Sequence, residues 1–191
     1  GTMRLEDIAA AIRGDNDHWP RTRAVCLENT HNRCFGAPLT PEYMRSVAEL
    51  ARARGLKVHL DAARIFNAVV ALGVDVKDFT CHVDSLSFCL SKGLSAPVGS
   101  VVCGAREFIN EARRNRKLLG GGMRQAGIIA APGVVALDKM ISRLADDHKN
   151  AKRLALGIAT VPGLSIDVSR VVTNIIYFDI ETDRINAEQL R

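Results

Sequence analysis

Residues 84–104 read DSLSFCLSKGLSAPVGSVVCG. Two β-rich runs, DSLSFCLS (84–91) and GSVVCG (99–104), are joined by the short link SKGLSAPVG. A parallel return needs a crossover of roughly a dozen residues or more, so GSVVCG is expected to run antiparallel to its neighbour. One lysine, Lys92, stands where the first run ends, with Gly93 directly behind it. Glycine at that point leaves the lysine backbone uncrowded.

Upstream, AVCLE (24–28) and KVHLD (57–61) read as strands and RLEDIAAAI as a helix. Thr40-Pro41 supplies an N-cap and a first-turn proline for a second helix, which Gly55 closes after ARARG. AARIFNAVVAL (62–72) is apolar nearly all round, which predicts a helix buried on several sides. Strands separated by helices imply an α/β fold with a mostly parallel sheet covered on both faces. Downstream come a basic helix, the cluster Gly120-Gly121-Gly122, and one long helical stretch from about Gly127 to Ala159. A turn at Pro162-Gly163 then introduces SIDV and VVTNIIYFDI as strands. We expect residues 1–150 to form a large domain and 151–191 the start of a small α+β domain.

With 191 residues and 47% apolar content, the chain is long enough for a real core. It shows no uncharged apolar run of about 18 residues and no secretory leader pattern, so a soluble cytoplasmic protein without a membrane partner is expected. A net charge of +5 invites an anionic partner, yet 5% aromatics and the lack of a nucleic-acid-binding motif argue against nucleic acid. The cluster Arg113, Arg114, Arg116 and Lys117 reads as a solvated helix face, or as a site for a small anion such as phosphate. Five widely spaced cysteines argue against a disulfide framework or a zinc site and are read as small buried hydrophobes; no metal is expected.

Ligands of open α/β sheets bind at the carboxyl ends of the strands. Asp61 ends KVHLD and Lys92 follows DSLSFCLS. The two could form a buried ion pair. Alternatively they form a pyridoxal phosphate site, where the lysine makes a Schiff base and the acid keeps the pyridine nitrogen protonated. In the second reading a desolvated pocket favours the neutral, nucleophilic amine of Lys92.

LENTHN (27–32), HLDAARIFNA (59–68), SFCLSKGLSAPVGSVV (87–102), GGGMRQAG (120–127) and TNIIYF (173–178) together resemble the threonine aldolases, in order and in spacing. Ala62 departs from the glycine common there. The resemblance implies the three-layer fold of pyridoxal phosphate-dependent transferases, that is, the aspartate aminotransferase fold or fold type I. It implies Lys92 as the Schiff-base lysine, Asp61 as the pyridine partner and Arg64 as a ligand of the cofactor hydroxyl or substrate carboxylate. An ion pair of Arg64 with Asp61 is the plainer alternative for that arginine. Asn29, Thr30 and His31 are implied as cofactor neighbours, and Arg124 and Lys117 as substrate-binding cations. The implied reaction cleaves L-threonine or allo-threonine to glycine and acetaldehyde in a homotetramer, a dimer of dimers. No residue stands out as the base for the β-hydroxyl proton. A β-eliminating or other carbon–carbon lyase of the same fold, or a non-catalytic truncated homologue, are the alternatives. The resemblance also implies a phosphate-binding loop N-terminal to this segment, with the chain as the central and C-terminal part of a longer enzyme. The opening GTM is read as an ordinary helix lead-in far from the site.

Overall fold

The computed structural model describes residues 1–190. Strands β1 (Ala24–Glu28), β2 (Lys57–Asp61) and β3 (Ser85–Cys89) pair in parallel in that order, and β4 (Ser100–Gly104) pairs antiparallel with β3. The short link after β3 therefore acts as expected. Successive side chains of a strand face opposite sides. On one side Val25, Leu27, Val58, Leu60 and Leu86 are buried. They meet Met44, Val47, Ala48 and Ala51 of α2 (Pro41–Ala53), Ile65 and Ala68 of α3 (Ile65–Leu72), and Phe79 of α4 (Lys77–Thr80). Helix α1 (Leu5–Ala11) adds Ile8. Helix α2 begins as its sequence implies, with Thr40 Oγ1 accepting the Tyr43 N–H at 3.3 Å.

The other side of the sheet presents Cys26, Glu28, Lys57, His59, Asp61 and Ser85, all exposed or half-buried. Among the described residues, the helices packed on the sheet lie on the side that carries Val25, Val58 and Leu86. Both crossovers advance the sheet in the same direction, and right-handed connections then place their helices on the same face.

Helix α3 lies between two cores. Ile65 and Ala68 belong to the main one, while Phe66 and Val70 pack against Leu90, Leu94, Ala96, Ala136 and Leu144. Its end is open, with Ala71 and Leu72 exposed. Helix α5 (Arg106–Leu118) buries no residue, which fits its basic face. The single long helix expected after it is two, α6 (Gly127–Lys139) and α7 (Leu144–Ile158). The intervening turn brings Met140, Ile141 and Leu144 onto the second core.

The strands expected after Pro162 are shortened to β5 (Leu164–Ser165) and β6 (Asp179–Ile180), which pair antiparallel. Between them the chain is occupied by tertiary contacts instead of a ladder. Thr173 Oγ1 donates to the buried Gly36 carbonyl at 2.8 Å, Arg170 lies 3.3 Å above the Phe35 ring, and Tyr177 meets that ring edge-on. A third apolar cluster gathers Ala151, Ala155 and Val171 with Ile166, Val168 and Ile176. The cysteines differ from expectation in their burial. All five are free, with Cys26 and Cys81 exposed and the others half-buried, because Cys26 faces the open side of the sheet and Cys81 sits beyond the end of α4. No helix among the described residues is long and apolar enough to cross a membrane.

Two stability predictions arise from this framework. Gly36 has φ +63°, and a methyl group there would lie 2.5 Å from Thr173 Oγ1 and 3.1 Å from Ile175 Cβ. Gly36→Ala is expected to cost about 1–3 kcal/mol of stability, through left-handed strain and that crowding. An unchanged urea midpoint would contradict this. Asp84 ties β2 to β3: its carboxylate accepts from Lys57 Nζ at 2.8 Å and from the Val58 N–H at 2.9 Å. The Lys57 ammonium first, and the Val58 N–H second, hold its carboxyl below the usual aspartate range. A lowered folded-state pKa contributes stability above the unfolded value, which is lost as pH falls through the folded one. Asp84→Asn should therefore lower the melting temperature at neutral pH and leave it near native in strong acid.

Candidate active site

The parallel strands deliver their carboxyl ends together. Glu28 is in register with Asp61, and Asp61 with Ser87. Beyond them the backbone stays laced. Asn29 N–H donates to the Asp61 carbonyl at 2.8 Å, Ala62 N–H to that of Ser87 at 2.7 Å, and Arg64 N–H to that of Asn29 at 3.2 Å. Asp61 is exposed, and its Oδ1 accepts the Ala63 N–H at 3.0 Å. Arg64, half-buried at the start of α3, donates from Nη1 to the Thr30 carbonyl at 3.2 Å. Among the described residues, no ion pair engages Asp61, Arg64 or Lys92. Neither the Asp61–Lys92 pair nor the Asp61–Arg64 pair is formed.

Lys92 lies in the turn after β3, where the Ser95 N–H donates to its carbonyl at 2.8 Å. Leu90 and Leu94 are buried on either side of it, and Lys92 itself is exposed. The described residues do not close a desolvated pocket around this lysine. The leucines that flank it anchor the turn in the second core, where Leu90 meets α6 and Leu94 packs with Leu144, so the residue between them faces outward.

LENTHN separates into distinct jobs. Asn29 is fully buried, its Oδ1 accepting the Leu39 N–H at 3.1 Å and its Nδ2 donating to the Leu39 carbonyl at 3.3 Å. That closed ring is structural and fixes the loop that follows β1. Thr30 is also fully buried, but its Oγ1 has no partner. His31 Nε2 lies 3.1 Å from Glu28 Oε2, while its buried Nδ1 has no partner. Buried polar atoms are nearly always hydrogen-bonded, so two unsatisfied ones beside a strand end leave places for an ordered water or a polar ligand.

A cleft of about 430 Å³ opens there, lined by Glu28, His31, Cys34 and Asp61, with Gly1 and Met3 on its other wall. Met3 is held by Tyr43, whose hydroxyl accepts its N–H at 3.0 Å and donates to its carbonyl at 2.9 Å. In sequence the opening GTM is far from LENTHN; in space it borders the same cleft. Lys117, in the last turn of α5, and Arg124, in the loop after it, are both exposed. Among the described residues, no hydrogen bond or ion pair joins either to Asp61, Arg64 or Lys92.

Sequence reading missed one polar pair in this region. Asn67, 3% exposed on α3, has its Nδ2 3.1 Å from His148 Nε2 of α7. An asparagine within the otherwise apolar IFNAVVAL was the available signal. His148 had none, since it enters only through the packing of α7 on α3.

The chain is similar to known proteins along nearly its whole length. Low-specificity L-threonine aldolase 1 of Arabidopsis thaliana is 48% identical over 194 residues, covering 100% of this chain and 54% of the relative. The low specificity L-threonine aldolase of Escherichia coli K12 is 46% identical over 177 residues, covering 93% of this chain and 51% of the relative. The chain thus spans about half the length of the curated relatives it matches. In three dimensions it is similar to the threonine aldolase of Leishmania major, with a TM-score of 0.70 at 20% identity over 87% of this chain and 49% of that one. That likeness extends the expected fold type I architecture to the structure. The family described as beta-eliminating lyase matches residues 1–181, and a match over that much of the chain shows that this protein belongs to the β-eliminating lyase family.

Proposed function

We propose that this chain carries the lysine and aspartate of a pyridoxal phosphate site that cleaves threonine to glycine and acetaldehyde. The observation that carries the reading is the placement of Asp61 at, and Lys92 just beyond, the carboxyl ends of adjacent parallel strands, neither engaged in an ion pair. The donor set suits the cofactor. Lys92 Nζ is an amine for its aldehyde, Asp61 retains an oxygen for its ring nitrogen, and His31, which lines the cleft beside Asp61, can meet a polar substituent. Pyridoxal phosphate, when bound, supplies the electron sink that makes the Cα–Cβ bond of an amino acid labile.

The residues have separate tasks. Asp61, held in orientation by the Ala63 N–H, keeps a proton on the ring nitrogen by charge pairing. Arg64 spends one donor on the Thr30 carbonyl, which fixes its side chain and leaves the rest of its planar fork for a hydroxyl or carboxylate. Arg124 and Lys117 remain as further cations for the substrate carboxylate. Asn29 acts on the loop through Leu39 and not on the cofactor.

Further parts of the reading concern the whole protein. The exposed apolar residues Leu118, Leu119, Met123, Ile128, Val134 and Val135 suit a homo-oligomer, a dimer of dimers. Five free cysteines suit a cytoplasmic setting. The third apolar cluster, starting at Ala151, suits a small domain that begins near that residue, following the cofactor-binding large domain.

The test is product analysis with pyridoxal phosphate and L-threonine. Acetaldehyde and glycine should form in equal amounts. Formation of 2-oxobutyrate and ammonia would instead identify β-elimination and overturn the aldolase reading.

A further inference from the structure

Lys92 is exposed, so what holds it in place must act through its backbone. Directly behind it, Gly93 is surrounded by three elements. A methyl group added there would lie 2.8 Å from Leu144 Cδ2 on α7, 3.6 Å from Asn67 Oδ1 on α3 and 3.9 Å from Asn174 Nδ2 in the 170–177 segment. Asn67 is 3% exposed and paired with His148 at 3.1 Å, and Asn174 has a buried Oδ1 without a partner. Around these groups the packing is apolar, including Phe66, Leu94 and Leu144. A buried amide in such surroundings is costly unless it is satisfied, and for Asn67 the His148 ring is the side-chain partner.

We propose that Asn67, whose amide is paired with His148, and Asn174 form a polar seat beneath Gly93 and thereby set where the Lys92 backbone stands. They are positioning residues, since none is placed to touch a cofactor. The seat joins α3, α7 and the 170–177 segment at one point under the turn. The place from which the Lys92 side chain departs is thus set by helix packing and not by the turn alone. Burial pushes the His148 imidazole down from its ordinary value, against the opposing influence of Asp147. A neutral ring offers Nε2 as the acceptor that the Asn67 amide requires.

This inference deepens the pyridoxal phosphate reading and rests on it. The test is the rate at which Lys92 is fixed by pyridoxal phosphate and borohydride, read by peptide mass spectrometry, with melting temperature measured in parallel. Native protein must label at Lys92; if it does not, the cofactor reading fails and the seat with it. If it does, His148→Leu, which removes the partner, is expected to label about tenfold more slowly at temperatures well below its melting point. His148→Gln, which retains a hydrogen-bonding group, should recover most of the rate even if its melting temperature is lowered. A purely structural role would make labelling follow melting temperature in both variants. Should His148→Leu not fold, Asn67→Ser, which withdraws the amide from the ring with a small volume change, carries the same expected loss. A native labelling rate in whichever of these folds, or equal losses in the glutamine and leucine variants, overturns the proposal.

Discussion

Lys92→Ala is expected to abolish threonine cleavage, with a loss on the order of 10⁴-fold or more, as for removal of a covalent nucleophile. The same variant should lose the visible absorbance that pyridoxal phosphate gains on binding, and should leave no borohydride-fixed cofactor on any other residue. The physical reason is that no other described lysine follows the carboxyl end of a parallel strand. Lys57 is at the opposite end of β2 and is paired with Asp84 at 2.8 Å. Lys117 belongs to the far end of α5. The fold should be little changed, because Lys92 is exposed and accepts only a backbone turn contact. A Lys92→Ala protein with an unaltered, borohydride-fixable absorbance would show that the amine is elsewhere.

Asp61→Ala is expected to retain some cofactor yet lower turnover by roughly 10²–10³-fold, the usual size of losing one preorganised electrostatic partner at a reacting centre. The loss should fall on kcat more than on KM, since the carboxylate acts on the ring proton and not on the substrate. Asp61→Asn distinguishes charge from shape. It preserves an oxygen for the Ala63 N–H that Oδ1 now accepts at 3.0 Å, but cannot stabilise a protonated ring. Near-normal turnover in the asparagine variant would assign Asp61 to holding the β2–α3 turn.

Much of the framework was readable one element at a time. AVCLE and KVHLD coincide with β1 and β2, and Thr40-Pro41 opens α2 as a cap should. These features depend on neighbouring residues: alternation in strands, a hydroxyl within reach of an N–H three residues on, and a proline where no donor is needed. By contrast, VVTNIIYFDI has strand composition yet makes only a two-residue pairing. Its neighbours are the turn at Phe35 and Gly36 instead of a strand edge. Local propensity cannot say which partner an extended segment will meet.

The candidate site shows the same division. The sequence by itself determined which chemistry is available, with one carboxylate at the end of one strand and one amine beyond the end of its neighbour, and the antiparallel course of β4, because a nine-residue link cannot hold a crossover helix. Only the tertiary structure decided that Asn29 is spent on Leu39, and that Gly1 and Met3 border the cleft beside Asp61. It also decided that Asn67 meets His148, 81 residues away, and that Thr173 meets Gly36 across 137. Such contacts are set by how helices and strands pack on one another. Packing depends on strand order and on shape at residues far apart in the chain, which no short-range pattern records.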